Sequence, residues 1–65
     1  MLDVDMKHAV SGDLEYDNFH CLLIRLFLKA DRGNYTRLKS TFPNTERVVA
    51  HWRQTEEFLT GVPYE

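Results

Sequence analysis

The residues that could do chemistry in this 65-residue chain are one cysteine and three histidines. A cysteine nucleophile needs an imidazole within reach to take its proton, and a further group that orients the imidazole. Cys21 has His20 beside it, but neighbouring residues on a helix point about 100° apart. His8 and His51 lie in other segments, so no spacing brings an imidazole to the thiol. The sequence therefore predicts no catalytic residue, and we expect a protein that is not an enzyme.

Metal, cofactor and substrate sites are not indicated by the residue spacing either. Metal ligands recur at spacings that converge on one ion, such as histidines four residues apart or a Cys-x-x-Cys pair, and neither occurs here. Phosphate loops need clustered glycines, whereas the three glycines of this chain stand singly. The adjacent carboxylates Glu56 and Glu57 face apart on a helix. We expect no metal, no cofactor and no small-molecule substrate.

The length of the chain limits the stability of a single domain. Ordering each residue costs roughly 1.5 kcal/mol, so one core of this size leaves little net stability without a supplement. The single cysteine excludes an internal disulfide, which makes association the expected supplement. A lone cysteine in an apolar segment is typical of a reducing cytosol, and the acidic N-terminal stretch does not resemble a secretory signal. We expect a cytoplasmic protein with no membrane segment.

The segment from Phe19 to Ala30 is the most informative part of the chain, because nine of its twelve residues are apolar. It is too short to cross a bilayer, which takes about 20 residues, and it contains Arg25 and Lys29. On a helix its apolar residues fall on two sides. One side holds Phe19, Leu22, Leu23, Leu26, Phe27 and Ala30, and the other holds Cys21, Ile24 and Leu28. The second side predicts a surface that a partner chain covers.

Three helices are expected to position this segment. The first begins with Asp17, or one turn earlier with Asp13, as N-cap, contains Lys29 in its last turn and is closed by Gly33 just past its end. The second covers Tyr35 to Thr41 after Asn34 as N-cap, and Pro43 stops it. The third runs from Thr45 to about Thr60, with Asn44 as N-cap and Gly61 as its C-terminal stop. The predicted core consists of Phe19, Leu22, Leu23, Leu26, Phe27, Tyr35, Leu38, Phe42, Val48, Val49, Trp52 and Leu59.

The expected architecture is therefore an all-α, compact three-helix domain over residues 16–61, with a loose acidic N-terminal arm over 1–15 and a short tail over 62–65. The arm contains Leu2, Val4 and Met6 at alternating positions. It is either disordered or lies across the side formed by Ile24 and Leu28. The second arrangement would remove the need for a partner there.

Charge is segregated along the chain, although the net charge is only −2. Five acidic residues and one lysine give residues 1–17 a net charge of −4, seven basic and two acidic residues give 18–53 a charge of +5, and three glutamates give 54–65 a charge of −3. Either the basic middle binds an acidic partner or a nucleic acid, or the acidic ends fold back and neutralise its charge. We favour the second interpretation.

DNA binding through a helix-turn-helix is a weaker alternative. Arg37, Lys39, Arg47 and Arg53 could contact phosphates. No tight glycine turn precedes the third helix, however, and the acidic ends would repel a duplex. Nucleic acid is therefore a disfavoured partner.

The middle of the chain, about residues 17–53, has a pattern of three elements: a helix ending in Lys-Ala-Asp, a short Asn-started helix ending in Phe-Pro, and a third helix with an aromatic residue. The residues of this pattern are Asp17, Phe19, His20, Leu26, Lys29, Ala30, Asp31, Asn34, Leu38, Phe42, Pro43, Val48 or Val49, and Trp52. The pattern resembles that of a family of small uncharacterised proteins encoded by bacteriophages and prophages. The resemblance implies a phage or mobile-element accessory protein and carries no catalytic residues.

The expected function is that of a protein–protein interaction module, which binds and modulates a host or phage protein and could inhibit a host defence. The alternative is a structural or assembly component that associates with its own copies. In either case the partner is another protein or a homodimer subunit. The candidate interface is formed by Ile24, Leu28 and Phe58, with Arg25 and Lys29 at its rim.

Overall fold

The computed structural model describes residues 1–13 and 15–65, and within them the chain forms four helices and no strand. These are α1 (Leu2–Ser11), α2 (Phe19–Lys29), α3 (Arg32–Thr41) and α4 (Pro43–Thr55). The all-α class is confirmed. The three-helix arrangement is wrong, because the predicted arm over residues 1–15 contains a helix.

Helix α1 forms because its apolar residues follow helical spacing. Leu2 and Met6 are buried, and Ala9 and Val10, one turn further on, pack against the same core. Val4 is exposed, so the three apolar residues Leu2, Val4 and Met6 do not share one face, and their alternation in the sequence does not describe how this segment packs. Gly12 ends the helix in the left-handed region, with φ at 77°. Residues 2–11 of the predicted loose arm thus form a helix that packs on the core, and Leu14, which was also assigned to that arm, lies outside the described residues.

The N-cap of helix α2 lies one residue later than the predicted Asp17. Asn18 is the N-cap, and its side-chain oxygen accepts a hydrogen bond from the amide of Cys21 at 2.8 Å. Lys29 lies in the last turn, as predicted, but the helix ends there and not at the predicted Gly33, because Ala30 closes it in an extended conformation. Helix α2 packs on α1 and on α4.

Helix α3 begins earlier than predicted and leads almost directly into α4. Asp31 is its N-cap and accepts from the amide of Asn34 at 2.8 Å, which places Gly33 inside α3 and not after α2. Only Phe42 separates α3 from α4. Pro43 occupies the first turn of α4, where its missing N–H costs nothing. Helix α3 packs on α4.

Helix α4 ends at Thr55, earlier than the predicted Thr60. Glu56 adopts the left-handed conformation with φ at 58°, and the hydroxyl of Thr55 accepts from the amide of Glu57, so the backbone leaves the helix here. Gly61 makes a second left-handed turn that returns the chain to the core, where Val62 is buried. Residues 56–65 therefore belong to the fold, and the predicted division into a domain and a tail at residue 62 is not observed.

The core lies where α1, α2, α4 and residue 62 meet. It comprises Leu2, Met6, Leu23, Ile24, Phe27, Val48, Val49 and Val62. The predicted burial of Leu23, Phe27, Val48 and Val49 is confirmed. Partly buried residues pack around this core, including the predicted Tyr35, Leu38, Phe42, Trp52 and Leu59.

Candidate protein-binding groove

Three large apolar side chains project from one face of α2 into solvent. Phe19 is 62% exposed, Leu22 47% and Leu26 55%. They lie at spacings of three and four residues and therefore share one side of the helix. Their predicted place in the core is wrong, because α1 and α4 cover the other side of α2.

An apolar depression of about 410 Å³ follows this face of α2 and is shared with α3. We call it the α2–α3 groove, and its lining residues are Phe19, Leu22, Leu23, Leu26, Leu38 and Phe42. The rings of Phe19 and Phe42 close one end, with centroids 6.0 Å apart. Because α3 has no fully buried residue, it lies at the edge of the molecule and forms a wall of the groove.

Tyr35 fixes α3 in this position. Its ring meets that of Phe27 edge-on at 5.4 Å, and its hydroxyl donates to a carboxylate oxygen of Glu46 in α4 at 2.8 Å. Burial, together with this hydrogen bond, raises the pKa of Tyr35 to about 12, so the phenol stays protonated and keeps donating at neutral pH. The wall of the groove is therefore anchored to α4 and to the core.

A second depression, of about 460 Å³, continues the groove beyond Leu26 and Leu38. Its lining includes Lys29 and Arg37, both exposed. Asp31 is the one carboxylate in this lining, so the two cations outnumber it and this end of the groove is basic.

The opposite end of α2 is acidic. Asp17 and Glu15 are both exposed and lie two and four residues before Phe19, the first residue of α2. The chain therefore runs from acidic residues before the helix, along the exposed apolar face of α2, to a basic end. This polarity follows the direction of the helix.

None of the eight lysines and arginines lies within 4 Å of a carboxylate in the parts of the chain that the structure describes. The carboxylate contacts of this length found there involve histidines: His8 with Asp13 at 3.2 Å and His20 with Glu65 at 3.9 Å. The acidic ends do fold back onto the middle of the chain, but the carboxylates of Asp5 and Glu65 contact amides and hydroxyls there. The positive charges along α2 and α3 therefore have no carboxylate within 4 Å among the described residues.

A buried carboxylate joins the two chain ends. Asp5 is fully buried and accepts hydrogen bonds from the side-chain amide of Asn18 at 2.8 Å and from the hydroxyl of Tyr64 at 2.7 Å. The hydrogen bond to Asp5, more than burial, raises the pKa of Tyr64 to about 12. Since Asn18 also caps α2, Asp5 orients that cap.

Glu65 caps α4 from a distant part of the sequence. One carboxylate oxygen accepts from the amides of Asn44 and Thr45, at 2.6 and 3.1 Å, and the other accepts from the Thr45 hydroxyl at 2.5 Å. Phe42 precedes the helix and has no acceptor side chain. The predicted N-cap role of Asn44 is wrong, because its side-chain amide donates to the carbonyl of Pro63.

Two of the residues considered for catalysis are Cys21, which is buried, and His20, which packs against Tyr64. Burial raises the pKa of Cys21, so its thiol stays protonated at neutral pH, the opposite of an activated nucleophile. The ring of His20 lies 4.2 Å from that of Tyr64. Residues 1–13 and 15–65 contain no group of three or more metal-binding side chains.

The predicted interface residues lie mostly inside the molecule. Ile24 is 0% exposed and shares the core with α1, while Leu28 and Phe58 are partly buried against that core. Lys7 of α1 lies over the ring of Phe58 at 5.5 Å. The N-terminal segment thus covers the side of α2 that was expected to need a partner, which corrects the predicted interface.

The two predicted rim residues differ in their surroundings. The guanidinium of Arg25 donates to the backbone carbonyl of Asp13 at 2.6 Å. Lys29 is exposed and borders the groove. Of the five predicted interface residues, only Lys29 therefore lines the surface that the structure leaves open.

The fold and the groove together define an all-helical protein with an exposed apolar groove between α2 and α3. The chain matches no protein-family model, no curated protein and no solved structure. Within the described ranges, no helix has both the length and the apolar character needed to cross a membrane.

Proposed function

We propose that this protein is a non-enzymatic interaction module whose α2–α3 groove binds a helix of a protein. The observation that carries the proposal is the exposure of Phe19, Leu22 and Leu26 on one face of α2. Exposed apolar surface bordered by charged residues is typical of sites that bind protein. A monomer of this size would gain stability by burying these side chains, so their exposure is explained by a partner.

The shape of the groove favours a helical ligand. Phe19 and Leu26 are seven residues apart, which is roughly 10 Å along the helix axis at about 1.5 Å per residue. A helix that lies along this distance offers apolar residues at positions i, i+3 or i+4, and i+7, the pattern of helix-in-groove recognition. Lys29 and Arg37 favour a ligand with acidic residues where it meets the basic end.

Other properties of the chain support this role over its alternatives. The protonated, buried thiol of Cys21 argues against nucleophilic catalysis and suits a reducing compartment such as the cytoplasm. The acidic residues beside Phe19 disfavour nucleic acid. The resemblance to small phage and prophage proteins supports an accessory role in which binding modulates the protein that is bound.

A selection from a library of random 16-residue peptides, displayed singly and panned against the immobilised protein, tests the proposal. We expect enrichment of amphipathic helical sequences that bind the unaltered chain but not the Leu26→Asp variant. Val4→Asp is the matched control, because Val4 is an exposed apolar residue of α1 outside the groove. Failure to enrich any peptide, or equal binding to both variants, would contradict the proposed function.

A further inference from the structure

We infer that the helix bound in the α2–α3 groove is α2 of a second copy of this chain, antiparallel to the first across a two-fold axis. This inference rests on the proposed function and names the partner. It starts from the charges at the two ends of α2: the exposed Glu15 and Asp17 precede the helix, and Lys29 and Arg37 line the depression at its other end. A two-fold axis across the middle of α2 brings unlike ends together.

The register of this pairing follows from the apolar residues. An isologous contact places the same patch of both copies face to face. With Phe19 of one copy against Leu26 of the other, Leu22 lies near the axis. Lys29 is then level with the segment that contains Asp17 of the other copy. The apolar contacts and the charge contacts are therefore satisfied in a single arrangement, and each charge pair occurs twice.

The monomer leaves these charges available for such pairing. Asp17 and Lys29 have no ion-pair partner in the parts of the chain that the structure describes. A parallel arrangement would instead place Asp17 against Asp17 and Lys29 against Lys29, which repel each other. The charge distribution thus selects the antiparallel orientation.

The expected affinity is moderate. A standard stable interface buries about 800 Å² on each partner, which is roughly a fifth of the 4294 Å² surface of this chain. A groove of about two helical turns offers less than that, so we expect a dissociation constant on the order of micromolar. The dimer forms and dissociates within the range of ordinary protein concentrations.

The first test is the molar mass in solution, measured by light scattering from about 1 µM to about 1 mM, a range that brackets the expected affinity. We expect a rise from 7.7 kDa to twice that mass. The variant Leu22→Asp should remain monomeric with an unchanged far-UV circular dichroism spectrum, while Val4→Asp should dimerise like the unaltered chain. A monomer throughout, or a dimer that persists in Leu22→Asp, would overturn the inference.

Charge reversal tests the antiparallel register. Asp17→Lys and Lys29→Glu should each weaken self-association roughly tenfold, because each replaces two attractive pairs by two repulsive ones. An equimolar mixture of the two variants should form a heterodimer, since both of its charge pairs are again attractive. The double variant should likewise recover self-association. Arg47→Glu, an exposed charge change on α4 away from the groove lining, is the matched control.

The double variant separates pairing between copies from effects within one copy. A lysine before the N-terminus of α2 and a glutamate in its last turn both oppose the helix dipole, so the double variant should have the least stable monomer. Recovery of its dimer therefore reports contacts between copies. If neither the mixture nor the double variant recovers, the register is wrong. A monomer that still enriches groove-binding peptides would reject the second copy as partner and leave the proposed function standing.

Discussion

Truncation of Ile24 and of Leu22, two neighbouring apolar residues of α2, should have very different effects on the monomer. Ile24 is fully buried, and truncation of a buried isoleucine to alanine costs about 2–5 kcal/mol. The total stability of a 65-residue domain is about 3–10 kcal/mol at 0.05–0.15 kcal/mol per residue. Ile24→Ala should therefore remove a large part of the free energy of unfolding.

Leu22→Ala should be much milder. Full burial of a leucine contributes about 1.5–3 kcal/mol, and Leu22 is 47% exposed, so the monomer should lose about 1 kcal/mol. The two variants remove similar amounts of apolar side chain from the same turn of the helix, on opposite faces. The difference between them therefore measures which face of α2 is buried in the monomer.

Urea unfolding followed by far-UV circular dichroism measures both losses, at a concentration where light scattering gives the monomer mass. With a slope of about 1 kcal/mol per molar urea, Leu22→Ala should lower the midpoint by about 1 M and Ile24→Ala by about 2 M or more. Equal losses, or a larger loss for Leu22→Ala, would refute the assignment of the two faces. The same result would also remove the basis for the α2–α3 groove.

Three further predictions concern the polar contacts that join the chain ends. Glu65→Ala should cost about 0.5–2 kcal/mol in urea unfolding, because the first amides of α4 lose their acceptor, while the exposed Glu57→Ala should change little. Asp5→Ala should cost about 2 kcal/mol, since it leaves the donors of Asn18 and Tyr64 without their acceptor, and a stability equal to that of the unaltered chain would contradict this role. The folded state raises the pKa of Tyr64 from 10.0 to about 12, so this stabilisation is complete below pH 10 and is lost as pH rises towards 12. Urea midpoints measured over that range should fall less steeply for Tyr64→Phe than for the unaltered chain, and identical slopes would exclude the contribution.

The bounds of α2 could be predicted from the sequence better than the orientation of its faces. A capping residue before Phe19 and a basic residue in the last turn are local signals: the predicted cap Asp17 lies one residue before the observed cap Asn18, and Lys29 does lie in the last turn, although the predicted closing residue Gly33 belongs to α3. Both sides of the helix carry large apolar residues, so the sequence of α2 alone does not determine which side is buried. The packing of α1 determines which side of α2 is buried, and the sequence analysis did not predict α1.

The signal for α1 was present in the sequence but was obscured by a polar residue. Leu2, Met6, Ala9 and Val10 follow helical spacing, and Asp5 interrupts the same face. A buried carboxylate on an apolar face is understood only once its donors are known. Tyr64 is 59 positions away in the sequence, so no local pattern connects it with Asp5. The role of Glu65 was hidden for the same reason.

The cap supplied by Glu65 makes the start of α4 depend on the rest of the fold. A local cap would form as soon as the first turn forms, whereas this one requires residues 56–65 to return to the helix. The amide hydrogens of Asn44 and Thr45 are thus shielded from exchange with solvent only while that segment is docked. The first turn of α4 is therefore fully capped only in the complete fold, with the last residues of the sequence docked against it.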